Sequence, residues 1–304
     1  MEPDLASLLA AGEQAAFHGP PGAAVADLER AVVIAQRDGR RAEVSAAAWL
    51  LGVSLSASGR YGGALRVLLP LLEAGEAPDA SIELRLFAAL AAATAASVHR
   101  GLGRHDAAGE LDARGLALTD RAGEAAFDCV LGLASDAVGG GALDEARARH
   151  AQAATLADGH GDDWWRQRVR LGWAGAEIAL LEDDPAHAVE IATGAVTAAE
   201  RARAPRHVAK GLLFQGVAEL QTGSAEAAAT LRRAATLAEG LAALPLVWQA
   251  RGLLGALLAV DAEEESSRSL AAARSAVLTI AGDLPPALRD EWLARPNVSA
   301  LLEG

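Results

Sequence analysis

One feature constrains this chain more than any other: a paired-helix pattern that returns about every forty residues. It is clearest in Ala48–Leu72, AWLLGVSLSASGRYGGALRVLLPLL. Ala48, Leu51, Gly52 and Leu55 recur at i, i+3, i+4 and i+7, the spacing of one helix face. Gly59-Arg60-Tyr61 reads as a tight turn, after which Ala64, Leu65, Leu68, Leu71 and Leu72 form a second stripe. Small residues at Gly52 and Ala64 allow the two helices to approach closely. Neither helix buries its apolar face alone, so the unit needs neighbours. The residues equivalent to Ala64 are Ala24, Ala108, Ala146, Ala188, Ala228 and Ser267, and successive anchors lie 40, 44, 38, 42, 40 and 39 residues apart. This period predicts an all-α solenoid of about seven antiparallel helix pairs, at roughly 3–38, 40–75, 79–122, 123–159, 162–203, 205–241 and 245–281, with a C-terminal capping helix within 284–304. All 304 residues then form one repeat domain, because a solenoid core grows along its axis. Apolar residues, 52% of the chain, suffice for a continuous core, and strand-type runs are nearly absent.

The Ala48–Leu72 unit resembles the tetratricopeptide repeat (TPR). Leu51-Gly52, Leu55, Gly59, Tyr61, Ala64 and Leu68 stand where that family places its signature residues. The period exceeds the 34 residues of the commonest TPR. The chain is in this respect similar to the long-repeat, MalT-like sensor domains of bacterial signalling regulators. The resemblance implies a right-handed superhelix with a concave inner face. The tail, LPPALRDEWLARPNVSALLEG, is similar to the ends of large bacterial TPR regulators whose repeats follow an ATPase or cyclase module. No GxxxxGK[ST] loop and no separate helix-turn-helix stand in the sequence, so those activities do not carry over.

Composition narrows the function. A net charge of −13 argues against nucleic acid as a partner. The single cysteine, Cys129, excludes an intramolecular disulfide and lies in an apolar run expected to be core. The acidic N-terminus lacks a signal-peptide pattern, and the apolar run Leu86–Val98 is too short to cross a bilayer, so a cytoplasmic protein with no membrane partner is expected. The seven histidines show no metal-ligand spacing and read as solvated or capping residues. Asp162-Asp163 and Asp183-Asp184 begin helices, where acids suit the dipole. With no nucleophile–base pair and no cofactor motif, enzymatic activity ranks last and no cofactor is expected.

Candidate binding residues come from the TPR resemblance, which directs the residues three before and one after the Leu-Gly glycine to the inner face. These are Trp49 and Val53 in the second repeat; in the fifth, where Ala176 replaces the glycine, they are Trp173 and Glu177. Arg166, Arg170, Trp173 and Glu177 follow one helical stripe, and Asp128 and Lys210 hold the place of Arg170 in the adjacent repeats. One reading is a groove between repeats four and six. A peptide segment or small effector would lie there against Trp173, its acidic groups facing Arg166, Arg170 and Lys210, with Trp49 reached only by an extended ligand. The competing reading is that Asp128, Arg170 and Lys210 pair across neighbouring helices and the indoles fill gaps. The corresponding functions are a non-catalytic binding module in a bacterial regulator, or a structural, self-associating scaffold.

Overall fold

The structure, a computed structural model, describes residues 4–303. The first eight helices are α1 (Leu5–His18), α2 (Val25–Arg37), α3 (Arg41–Ser58), α4 (Tyr61–Gly75), α5 (Ile82–Gly101), α6 (His105–Ala117), α7 (Gly123–Gly139) and α8 (Leu143–Ala157). There follow α9 (Trp165–Leu181), α10 (Pro185–Arg201), α11 (Pro205–Thr222), α12 (Ala227–Gly240), α13 (Leu244–Leu257), α14 (Glu263–Asp283), α15 (Pro286–Leu293) and α16 (Pro296–Glu303). Short 3-10 turns at Pro21–Ala24 and Asp162–Trp164 precede α2 and α9. No strand occurs among the described residues. The fold is thus all-α, with seven helix pairs and a C-terminal cap.

Local chemistry sets the helix ends. The Asp184 carboxylate accepts the His187 N–H at 3.1 Å and Pro185 follows in the first turn, where its missing N–H costs nothing. Gly59 and Gly223 end α3 and α11 in the left-handed conformation that glycine adopts freely. α5 starts at Ile82, three residues into the repeat expected at 79–122, because the Ser81 hydroxyl accepts the Leu84 N–H at 3.2 Å and caps the helix there.

The odd-numbered helices α1 to α13 pack side by side as an inner layer, and the even-numbered helices cover them from outside. Within a pair the close approach rests on one recurring contact: a glycine of the inner helix against a leucine of the outer. Gly12 meets Leu28, Gly52 meets Leu68, Gly216 meets Leu231 and Gly255 meets Leu270; a Cβ at any of these glycines would collide with the leucine side chain. Ala64, Ala108, Ala146 and Ala188 are fully buried at this junction. In the last two repeats the buried small residue is Ala227 rather than Ala228, and Ser266 rather than Ser267. In these two repeats the whole outer stripe is offset by one residue, so Leu231 and Leu270 also lie one position closer in sequence to their glycines than Leu28 and Leu68 do. Ser266 satisfies its hydroxyl by donating to the Gly255 carbonyl at 2.7 Å.

α5 is long and apolar enough to cross a membrane by length and composition alone. Its alanine-rich faces are instead taken up by α3, α4, α6 and α7. Cys129 is buried in α7, as expected of a small core residue.

The solenoid does not stay open. Its last repeats return to its first, with α11 against α1, α13 against α3 and α14 against α4. Gly59 sits against Leu244, Pro245 and Ile280. The Gly63 N–H donates to Asp283 Oδ2 at 2.8 Å, and the Asp283 carbonyl lies where a Cβ of Gly62 would be. The cap joins this seam. It is two short helices rather than one. Trp292, 2% exposed, is part of the core shared by α3, α4 and α5. Arg295 donates to the Gly103 carbonyl at 2.7 Å, Glu291 pairs with Arg104 at 3.1 Å, and Arg274 of α14 holds the Leu301 carbonyl at 2.7 Å. The tail therefore covers its own last repeat and fastens it to the second and third.

Candidate binding site on the inner face

The inner helices α7, α9 and α11 present charged pairs at i, i+4 spacing, so each pair leaves its helix in one direction. These are Glu124 and Asp128 on α7, Arg166 and Arg170 on α9, and Arg206 and Lys210 on α11. Arg166 reaches Asp128 Oδ2 at 2.9 Å and Glu124 Oε2 at 3.2 Å, and Arg170 bonds Asp128 Oδ1. For Asp128, Arg166 and Arg170, the geometry is that of pairing across neighbouring helices. Their charge is met from within the protein, in a setting where desolvation offsets much of the Coulombic gain.

Lys210 behaves differently. It makes no ion pair among the described residues; its ammonium lies over the Trp173 ring at 4.7 Å and near the Phe214 ring at 5.7 Å. Such cation–π contacts stabilise an amine that lacks a carboxylate. Burial pulls Lys210 down to about 8, against the opposing field of Glu177. Burial also raises Glu177, opposed by Lys210 and by the Ser135 hydroxyl, which donates to it at 3.2 Å.

Trp173 is 6% exposed and packed against α11, where it stacks on His207 at 5.4 Å and 20°. Its indole N–H has no acceptor. Trp49 is half-buried and donates to Thr94 Oγ1 at 3.3 Å. Because the superhelix closes, Trp49 is not remote from the fifth repeat. Its ring lies 6.2 Å from Phe17, and Arg166 caps the same Phe17 at 5.7 Å. One side chain therefore separates residues that three repeats separate along the chain.

Three inner-face residues were not expected from the sequence. Trp165 stands between His18 at 5.2 Å and His207 at 5.0 Å, while its neighbour Trp164 turns to the preceding loop and stacks on His160 at 3.7 Å. His207, read as a solvated residue, is 2% exposed, and burial followed by the Arg206 charge holds it well below its usual pKa. Arg206, half-buried, has no ion pair, and its Nε is buried without a partner. Burial, then Arg170 and Arg166, lowers it to about 10. The available signal was the stripe Arg206, Lys210, Phe214 at i, i+4, i+8, in the same register as Arg166 and Arg170.

Two surface clefts lie elsewhere, on the outer side. One of about 570 Å³ is bordered by Pro205, Val208, Arg232 and Arg233; the other, of about 200 Å³, by His150, Gly175 and His187. No group of three or more potential metal-binding residues occurs among the described residues.

No protein-family model matches this chain, and no curated protein sequence matches it. Among solved structures it is similar to a Rap protein complexed with competence and sporulation factor. The match covers 98% of this chain and 80% of that one, with 11% identity and a TM-score of 0.66. The apo form of RapI aligns over 98% of this chain and 84% of its own at 10% identity, with a TM-score of 0.48. The first likeness establishes a shared helical-repeat fold.

Proposed function

We propose that the chain is a non-catalytic binding module of a bacterial regulator that takes a peptide segment along the inner face of its superhelix. The observation that carries this reading is the set of polar groups left without partners on α9 and α11: Trp173 Nε1, His207 Nδ1 and Arg206 Nε are buried and unpartnered, and Lys210 makes no ion pair. A fold evolved for stability alone pairs such groups, since each orphan costs roughly 1–3 kcal/mol. The half-buried rings of Trp49, Phe87 and Trp165 add apolar contact surface to fixed polar groups, the usual make-up of a recognition groove. Likeness to the fold of a Rap protein whose complex is with competence and sporulation factor supports a binding role over a purely structural one. A cytoplasmic setting fits this role. The repeat length and tail favour kinship with the long-repeat, MalT-like regulators.

Tryptophan fluorescence tests the reading. A mixed library of random heptapeptides should shift the emission of the protein saturably, and Trp49→Ala and Lys210→Met should each weaken the response about tenfold while circular dichroism stays unchanged. Absence of any response, together with concentration-dependent self-association in sedimentation, would replace this reading with that of a scaffold.

A further inference from the structure

The three inner columns of charge do not balance. The acidic column of α7 neutralises the basic column of α9, whereas the basic column of α11 makes no ion pair among the described residues and has only Glu177, near Lys210, to offset it. Four arginines of the outer helices find carboxylates in the adjoining repeat: Arg114 meets Glu76 at 2.8 Å, Arg147 meets Glu182 at 2.5 Å, Arg232 meets Glu265 at 2.6 Å and Arg233 meets Glu200 at 2.5 Å. Arg206 has no such partner, although it is half-buried and its charged neighbours are Arg166 and Arg170. Its place makes matters worse. It follows Pro205 in the first turn of α11, where the helix dipole already presents positive charge. Three unfavourable terms thus converge on one guanidinium: desolvation, like charge and the dipole. The like charges and the dipole both attract an arriving anion, and its hydrogen bonds offset the desolvation already incurred.

We propose that Arg206 and Lys210 anchor the free C-terminal carboxylate of an extended peptide. This rests on the inner face being the binding surface. Both groups are pure donors, and a guanidinium can hold a carboxylate through two parallel hydrogen bonds. The acids close by, Glu177 beside Lys210 and Asp128 beside Arg170, favour a singly charged group over a phosphate dianion. A path for the rest of the ligand leads away from this corner. The rings of Trp173, His207, Trp165 and His18 succeed one another at 5.4, 5.0 and 5.2 Å, and Phe17, next to His18, continues to Trp49. Trp173, His207 and Phe17 in this row are buried, while Trp165, His18 and Trp49 are half-buried, and a row of that extent suits several peptide residues better than a small acid.

The experiment compares two random heptapeptide libraries, one with free C-terminal carboxylates and one with C-terminal amides, on the immobilised full-length chain. The free acids should be retained about tenfold more strongly, the scale of one charge-assisted pair. Arg206→Gln should remove that preference, and Arg206→Lys should keep part of it. The melting temperature of the unliganded Arg206→Gln variant should equal or exceed that of the wild type, because no internal ion pair is lost. Equal retention of acids and amides overturns the carboxylate anchor but leaves the inner-face reading standing. Retention of neither library overturns both. A lower melting temperature for Arg206→Gln shows that Arg206 holds the fold, and it too overturns the anchor.

Discussion

Buried charge in this protein falls into two kinds, and single residues tell them apart. Arg206 is the unpaired kind. Asp112, fully buried on α6, is the paired kind: Arg100 Nη1 bonds Asp112 Oδ2 at 2.6 Å and Asp136 Oδ2 at 2.8 Å. One guanidinium nitrogen is shared by two carboxylates, and Asp112 Oδ1 has no partner. Burial raises Asp112 to about 7, with Asp136 adding to the rise and Arg100 opposing it. A carboxyl whose folded pKa exceeds its unfolded one holds its proton more tightly when folded. It therefore lowers stability as pH rises from about 4 to about 7, by up to about 1.4 kcal/mol per pH unit. Asp112→Asn lacks this loss. In urea unfolding, the variant should gain on the wild type as pH rises through that window, and the difference should level off above pH 7. A difference that stays flat across the window, with the variant the less stable, would show instead that Asp112 is ionised throughout and that its ion pair is a net stabiliser.

At the scale of the element, the helix pair was the legible unit. Its determinants are local: Gly52 and Leu68 meet across one turn, and Ala64 sits fully buried beside them. Replacing Ala64 by Trp overfills this junction and should destabilise the protein by roughly 1–3 kcal/mol or more. Because each repeat leans on its neighbours, the loss should appear as faster amide exchange in α3 to α6 before α9 to α12. A thermal midpoint equal to that of the wild type would mean that the junction has slack which the packing does not show. Less legible were features set by where two elements point relative to each other. Asp128 and Arg170 were recognisable as charged inner residues, but whether they met each other or a ligand depended on side-chain reach between helices. Arg206 and His207 escaped notice because the inner register of α11 was anchored on Lys210 alone. The one-residue offset of the small residue in α12 and α14 escaped because a change of spacing between two helices leaves the periodicity within each intact.

The whole molecule holds what the sequence could not announce. A period of about forty residues specifies how one repeat follows another, but the closure of the superhelix depends on the sum of many small rotations. The resulting contacts join residues 220 apart, as in the bond from Gly63 N–H to Asp283, and no local pattern marks them. The seam combines apolar contact, Gly59 against Ile280 and Leu244, with polar fastenings at Asp283, Glu291 and Arg295. Ring closure covers the inner face from one side, so a peptide reaches Lys210 and Arg206 from an open end of the superhelix or through a parted seam. Local separations of this kind cost less than global unfolding and fall on microsecond-to-second timescales. Gly62 is the place to test it, because any side chain there meets the Asp283 carbonyl, a backbone atom that cannot swing aside. Gly62→Ala should part α4 from α14 while leaving the helix pairs whole. Small-angle scattering should then report a larger radius of gyration with unchanged helical circular dichroism, and Asp283→Ala should give a smaller expansion in the same direction. If the inner face is reached through the seam, Gly62→Ala should also quicken peptide association, seen as a faster fluorescence change. An expanded molecule with an unchanged association rate would place the entrance at the ends of the superhelix.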